Sequence, residues 1–210
     1  MQPGRLSSTL FYYVYLTAMS FRSSGSNPQT RDYLIQWTKA MYNYNGSNNA
    51  SIIYGISNEE NAVHEYELRT GHKVSASGVW LFPNAPLYSS PDGIIRLKSD
   101  QRQIEGVLEV KCPKQLENPN NSISNLSYLA KDCKLNHNTK YYFQVQGHLA
   151  ATQAAWCDFV IWAPTDFARE RIFPDQEWMS VKLPIIKDFL KNQMLPMSFS
   201  PDFWENIMTR

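Results

Sequence analysis

The hydrophobic period of this chain changes in its middle third, and that change limits what it can fold into. "GVWLF", "SPDGIIRLK" and "GVLEVKC" are short β-branched runs separated by Gly and Pro, the pattern of strands joined by turns. In the third run Leu108, Val110 and Cys112 fall on one face, while Glu109 and Lys111 share the other. What precedes is helical in period. "LFYYVYLTAMS" leads through a Ser/Asn/Pro loop to "RDYLIQWTKAMYNY", which Thr30 is placed to cap. "GISNEENAVHEYELRTG" follows, with Ser57 or Asn58 as N-cap, Gly71 as its end, and Ala62, Val63 and Tyr66 on the face of Glu59. After the strands come a helix, "TKYYFQVQGHLAATQ", two more strands, "WCDFVIWAP" and "ARERIFP", and a last helix bent or broken at Pro184. Helices, three strands, a helix, two strands and a helix predict an α/β fold with a mixed central β-sheet flanked by α-helices. The expected organisation is one domain over residues 1–210, with a helical part over 1–50 and a core over 50–195.

Composition narrows the function classes. A chain of 210 residues with 43% hydrophobic content can bury a sizeable core. The net charge of +1 gives no global basic field, although a local basic groove suffices to collect phosphates. Cys112, Cys133 and Cys157 are odd in number, widely spaced and without Cys-x-x-Cys, which argues against a disulfide framework and a structural zinc site. Cys133 with His137 lacks the second pair that zinc needs. A reducing, intracellular setting follows. "LFYYVYLTAM" is too short and too polar to span a membrane. Trp80, Trp156 and Trp162, on strands, are expected in the core.

The residues that carry chemistry form an ordered set: helix Glu59, then Asp92 of Pro-Asp-Gly, then strand Glu109-x-Lys111, then helix Gln144. Each alone has a plain reading. Pro-Asp-Gly is a turn, Glu-x-Lys a solvated strand face with a weak ion pair, Glu59 a surface charge, Gln144 a satisfied amide. Together they meet one physical need. If Asp92 and Glu109 lie on adjacent strands about 5 Å apart, their repulsion amounts to about 3 kcal/mol at an effective dielectric near 20. A divalent cation turns that repulsion into binding, and hard cations such as Mg²⁺ favour few carboxylates plus phosphate and water oxygens. Lys111 is then placed beside the attacking water, Glu59 completes the metal shell, and Gln144 orients a phosphate or the water. His148, one turn after Gln144, could face the same place, but a helix histidine against a sheet is more often a packed polar residue. Cys112 alternates toward the core.

These segments resemble the YqaJ-type viral recombinase domain, the alkaline-exonuclease branch of the PD-(D/E)xK nucleases that includes lambda exonuclease. The residues that carry the resemblance are "YGISNEENAVHEYELRTGHKV", "SSPDGII", "GVLEVKCP" and "YYFQVQGHL", with "WCDFVIWAP" and "ERIFPDQEW" as the usual ending; it runs from about residue 50 to 195. It implies a restriction-endonuclease-like core and Mg²⁺- or Mn²⁺-dependent phosphodiester hydrolysis, with two ions. It places the metal-binding acids at Asp92 and Glu109, the catalytic lysine at Lys111, the helix glutamate at Glu59 and the glutamine at Gln144, with Tyr141 one turn earlier. The carbonyl of Val110 is a further metal ligand in such sites. Members also carry an arginine and a Gly-Arg-Ile-Thr-Ala-Ser-like stretch that bind a 5′-phosphate. The nearest segment is "GRLSSTLF", which offers Arg5 and puts Thr9 at the serine position; "YLTAMS" is an alternative alignment. The expected upstream arginine then falls at or before residue 1, as in a truncated N-terminus.

The resemblance implies 5′→3′ digestion of linear duplex DNA, a ring-shaped trimer and delivery of a 3′ overhang to a single-strand annealing protein. In the loop "KDCKLNHNTK", Lys131, Lys134 and Lys140 read as a phosphate-tracking edge. The rival readings are a nucleic-acid-binding module of the same fold that does not cut, and a nuclease of the same chemistry that acts on RNA or makes internal cuts.

Overall fold

The computed structural model describes residues 4–42, 49–130 and 132–200. In chain order its elements are β1 (Leu6–Ser7), α1 (Phe11–Ser24), α2 (Pro28–Tyr42), α3 (Ala50–Thr70), β2 (Val74–Ser75), β3 (Trp80–Leu81), β4 (Leu87–Ser89), β5 (Gly93–Arg96) and β6 (Ile104–Lys111). There follow α4 (Lys140–Thr152), β7 (Trp156–Ala163), β8 (Asp166–Ile172), α5 (Leu183–Phe189) and α6 (Leu195–Ser198). The central sheet has the order β2-β5-β6-β7-β8. β5 and β6 are antiparallel, β6 and β7 are parallel with α4 as the crossover between them, and β8 turns back against β7. The sheet is therefore mixed, as the strand and helix order predicts.

A second, three-stranded sheet of order β1-β4-β3 was not expected. Its strands are two or three residues long, too short to show an alternation. It changes the meaning of "YSSPDGII": Leu87–Ser89 belongs to the small sheet, while Gly93 opens β5 in the large one. Pro91-Asp92 is thus the link between two sheets and not a hairpin turn. Gly93 is needed there for space, because a Cβ would lie 2.2 Å from Cγ1 of Val74 on the neighbouring strand.

Two helix starts also differ from expectation, each because a stronger cap lies upstream. Asn27 caps α2: its Oδ1 accepts from the Thr30 N–H (2.9 Å), and its own N–H donates to Thr30 Oγ1 (2.9 Å). Thr30 is therefore the inner partner of a reciprocal capping box around Pro28. In α3 the cap is Asn49, which accepts from the Ser51 N–H (2.8 Å), so Ser57 and Asn58 lie inside the helix. Gly71 ends α3 as predicted, in the left-handed region at φ 70°. The C-terminal helix runs unbroken past Pro184. Wide π turns at Trp178–Lys182 and Leu190–Met194 stand directly before α5 and α6, and so two residues before Pro184 and Pro196. They widen the hydrogen-bond ladder where each proline has no N–H to give.

The central sheet separates two apolar layers. Ala62 and Tyr66 of α3 pack on Leu108, Val110, Cys112, Trp156 and Val160. The larger layer joins Val107, Cys157, Phe159 and Ile161 to residues of α1, α4 and α5 on the opposite face. Trp156 is buried, whereas Trp80 and Trp162 are half-buried and pack against the two apolar layers. α3 is also fixed by charge. Tyr66 Oη donates to the fully buried Asp158 (2.7 Å), which accepts from Arg171 at both oxygens (2.8 and 2.9 Å) and from Arg169 (3.3 Å). Among the described residues no helix is long and apolar enough to cross a membrane, and the three cysteines are free thiols.

Candidate active site

β6 outruns β5. The last register pair is Gly93 with Leu108, so residues 109–111 extend beyond the neighbouring strand. The chain before Gly93 fills that notch: the Asp92 N–H donates to Leu108 O (2.9 Å), and Asp92 Oδ2 accepts from the Val110 N–H (2.6 Å). In a strand the N–H and C=O of one residue point to the same side. The Val110 carbonyl is therefore on Asp92's side, at the end of the sheet where β5 has stopped.

Glu109 and Lys111 lie on the opposite face from Leu108 and Val110, as their alternation predicts, and meet α4. Glu109 is 1% exposed, and both of its oxygens are engaged. Oε1 forms an ion pair with Lys111 Nζ, and Oε2 accepts from Nε2 of His148 (2.6 Å). Lys111 Nζ also stands 5.3 Å from the centre of the Tyr141 ring.

A cleft of about 560 Å³ opens over this end of the sheet. Glu59 of α3, Asp92, Val110, Lys111 and Tyr141 all line it, so helix, inter-sheet link, strand and second helix converge as the sequence order implied. Lys114 and Lys140 add positive charge at its wall. Tyr128 was not anticipated. It also lines the cleft, packs edge-on against Tyr141 (centroids 4.6 Å), and holds a buried Oη that has no hydrogen-bond partner among the described residues. A buried hydroxyl in that condition is suited to an incoming hydrogen-bonding group.

The electrostatics are those of acids crowded together. Burial, reinforced by the charge of Glu109, pushes the Asp92 carboxyl up to about 8. Burial would also raise Glu109, but Lys111 and His148 hold it down at about 2. Burial would lower Lys111, yet the charges of Glu109 and Asp92 outweigh it and raise its pKa. Glu59 is raised by burial and then by Glu109, so it senses the same cluster. Cys112 is driven up to about 12 by burial, a structural thiol and not a nucleophile.

Other expected residues are placed elsewhere. Gln144 is buried on α4 one turn from both Tyr141 and His148, but it does not line the cleft. Thr9 is exposed, with its hydroxyl on Ser7 Oγ (3.0 Å), and Arg5 is part-buried; neither lines the cleft. It is Ser8, between them in this segment, that reaches inward. Lys134 is exposed, pairs with Asp132 (3.7 Å) and stays outside the cleft, and Lys131 lies outside the described residues. His148 is the functional candidate that sequence reasoning set aside. Its one signal was the spacing of three and four residues from Tyr141 through Gln144 to His148.

Among the described residues no three Asp, Glu, His or Cys side chains close into a metal cage. Asp92, Val110 and, from across it, Glu59 line the cleft; Glu109 does not, lying buried behind Lys111 with its charge felt at Asp92. Few carboxylates and an uncompensated buried acid fit a hard divalent cation that takes its other ligands from water and phosphate oxygens.

The fold is shared with exonucleases. An alkaline exonuclease, LHK-Exo of Laribacter hongkongensis, superposes with a TM-score of 0.66 at 19% identity over 94% of this chain and 92% of that one. Its complex with dAMP gives a TM-score of 0.68 at 20% identity over the same shares. A phage-related exonuclease of Haemophilus somnus gives 0.63 at 13% identity over 92% of this chain and 95% of the other. No curated protein matches the sequence. The profile of the YqaJ-like viral recombinase domain matches residues 13–155, about two thirds of the chain, a span that includes α3, the Asp92 link, β6 and α4. With the fold of the alkaline exonucleases and the family's sequence profile across every element that lines the cleft, the chain belongs to the YqaJ-like viral recombinase domain family.

Proposed function

We propose that this chain is a metal-dependent deoxyribonuclease that hydrolyses phosphodiester bonds, acting 5′→3′ on linear duplex DNA. The observation that carries the reading is the convergence of Asp92, Val110, Lys111 and Glu59 on one cleft with Glu109 paired behind Lys111. Asp92, Glu109 and the Val110 carbonyl would hold the ion, Mg²⁺ or Mn²⁺ in one or two copies, with Glu59 closing the shell directly or through water. When bound, such an ion polarises a phosphoryl oxygen, lowers the pKa of a water and neutralises a leaving alkoxide.

The chain's own groups do the rest. Lys111, kept as an ammonium by two carboxylates, donates hydrogen bonds; it orients a water or a phosphate oxygen in the cleft and balances charge in the transition state. Tyr141, flanked by Lys111 at 5.3 Å and Lys140 at 5.0 Å, offers a ring face for a nucleotide beside two phosphate-binding cations. Tyr128 Oη adds a donor on the same wall. DNA ends as substrate, a trimeric ring and a strand-annealing partner belong to this proposal through the family resemblance.

The test is incubation with end-labelled linear duplex, closed circular DNA and RNA, with Mg²⁺ and with EDTA. Degradation of linear duplex alone, from the 5′ end and only with metal, is the expected result. Equal cutting of circles would remove the exonuclease claim, cutting of RNA would move the substrate, and cutting of nothing would favour a binding module.

A further inference from the structure

Behind Glu109 a line of polar side chains runs away from the cleft through the protein interior. Glu109 Oε2 accepts from His148 Nε2 (2.6 Å), His148 Nδ1 shares a hydrogen bond with Ser89 Oγ (2.5 Å), and Ser89 Oγ shares one with Ser8 Oγ (3.1 Å). All four are sealed from water, with exposures of 1, 0, 0 and 1% from Glu109 to Ser8. They come from four places in the chain: β6, α4, β4 and the 3₁₀ turn Ser8–Leu10. We infer that His148 is a positioning residue for the reaction at the cleft, locked by Ser89 and Ser8 so that it fixes the plane of the Glu109 carboxylate. This rests on the nuclease reading above.

The terminal torsion of a glutamate is broad and roughly two-fold, so its carboxylate plane is set by its partners and not by its rotamer. Lys111 cannot set it, because a flexible ammonium follows the oxygen it binds. His148 can: its ring is rigid and wholly buried, and its second nitrogen is held by a serine that is itself held. Nε2 faces an ionised acceptor, so it carries a proton and donates whatever the state of Nδ1. Buried polar chains are tolerated only when each member is satisfied, and here each is. An apolar side chain at this place would pack against α4's neighbours without that demand. The backbone is shaped for the arrangement too: a Cβ on Gly147 would lie 2.7 Å from Ser8 Cβ, so glycine lets the turn bearing Ser8 sit flush on α4. The N-terminal segment thereby meets the metal-binding acid through three hydrogen bonds.

The experiment compares wild type with His148→Leu, His148→Gln and Ser89→Ala. Measured are kcat and KM on end-labelled linear duplex, Mn²⁺ affinity by electron paramagnetic resonance without DNA, and folding by circular dichroism. Loss of an outer partner of a metal ligand costs roughly 10–100-fold in affinity or rate. His148→Leu is expected to lose about that much in kcat and in Mn²⁺ affinity, with KM for DNA within about twofold. His148→Gln, whose amide N–H can replace Nε2–H, should recover most of both, and Ser89→Ala should fall between. A folded His148→Leu protein with wild-type kcat and Mn²⁺ affinity would overturn the assignment. If that variant does not fold, a folded Ser89→Ala protein with wild-type kcat and Mn²⁺ affinity would overturn it as well. Wild type that binds no Mn²⁺ and cuts nothing would end the nuclease reading, and this assignment with it; active wild type with indifferent variants ends this assignment alone.

Discussion

Asp92 shows most plainly how single residues govern this site. It is a buried acid with an adjacent acid and one hydrogen bond from a backbone N–H, so its proton is held to about 8, well above the ordinary value near 4. Between those limits the native chain keeps a proton that the unfolded chain has released. Unfolding free energy therefore falls as pH rises through that window, and the whole penalty is present above it. Glu109 contributes with the opposite sign, through stability that is lost only as pH falls toward 2. In EDTA, Asp92→Asn should match wild type near pH 4 and exceed it at pH 9 by on the order of a few kcal/mol in urea unfolding. Adding Mg²⁺ at pH 9 should stabilise wild type and leave Asp92→Asn unmoved. Parallel stability curves for the two proteins would refute the proposed crowding of acids. At this scale the sequence was legible wherever residue type alone carries the signal: Glu109 and Lys111 are charges on an apolar strand, and Asp92 stands at the mouth of another. His148 was not, because its partner depends on how α4 sits on β6, a relation absent from any local stretch. Ser8 was hidden for the same reason, one residue from the threonine that the motif indicated.

Elements bring those residues into register, and α3 is the one most in need of anchoring, since it carries Glu59 to the cleft from outside the sheet. Two turns beyond Glu59 the same helix carries Tyr66, whose hydroxyl donates to Asp158, itself held by two arginines on the sheet. Asp158 is fully buried while Arg169 and Arg171 are 40% and 32% exposed, so its removal strands the Tyr66 hydroxyl and leaves guanidinium charge that water partly screens, a loss of roughly 1–3 kcal/mol. Asp158→Ala should lose that much in denaturant unfolding; a change under about 1 kcal/mol would show that the cluster is not a structural anchor. At the other end of α3, Asn49→Ala should cost about 1 kcal/mol through the lost cap. Asn58→Ala should cost less, since its amide donates to Tyr54 O and accepts from Asn61 Nδ2 inside the helix and satisfies no N–H of the first turn. If the order of the two is reversed, the helix starts where its sequence pattern first suggested. Helix existence was readable from period and Gly71, but the start was not. Asn58 followed by acids resembles a cap so closely that only the Asn49 contact displaces it. The two-residue strands of the small sheet were beyond reading, because they exist through pairing and not through pattern.

For the whole molecule, the near-neutral charge makes a local prediction about DNA. Lys111, Lys114 and Lys140 line the cleft, so binding in EDTA should release few counterions, with a slope of about −2 to −3 in log affinity against log salt. Lys140→Ala should lower that slope by about 1, whereas Lys134→Ala, which removes an exposed partner of Asp132, should leave it alone. A slope steeper than about −6 would mean that most of the DNA contact lies away from this cleft. The architecture was largely legible, because strand–helix–strand order with charges on one strand leaves few α/β arrangements. The notch where β6 outruns β5 was not, since it depends on the register of Gly93 with Leu108. That notch is what seats Asp92 against β6 at Val110. The most direct measurement is an anomalous difference map from crystals grown with Mn²⁺. Density within about 2.0–2.4 Å of oxygens from Asp92, Glu109 and the Val110 carbonyl is the predicted result. Ordered Mn²⁺ elsewhere, with nothing at these three groups, would contradict it.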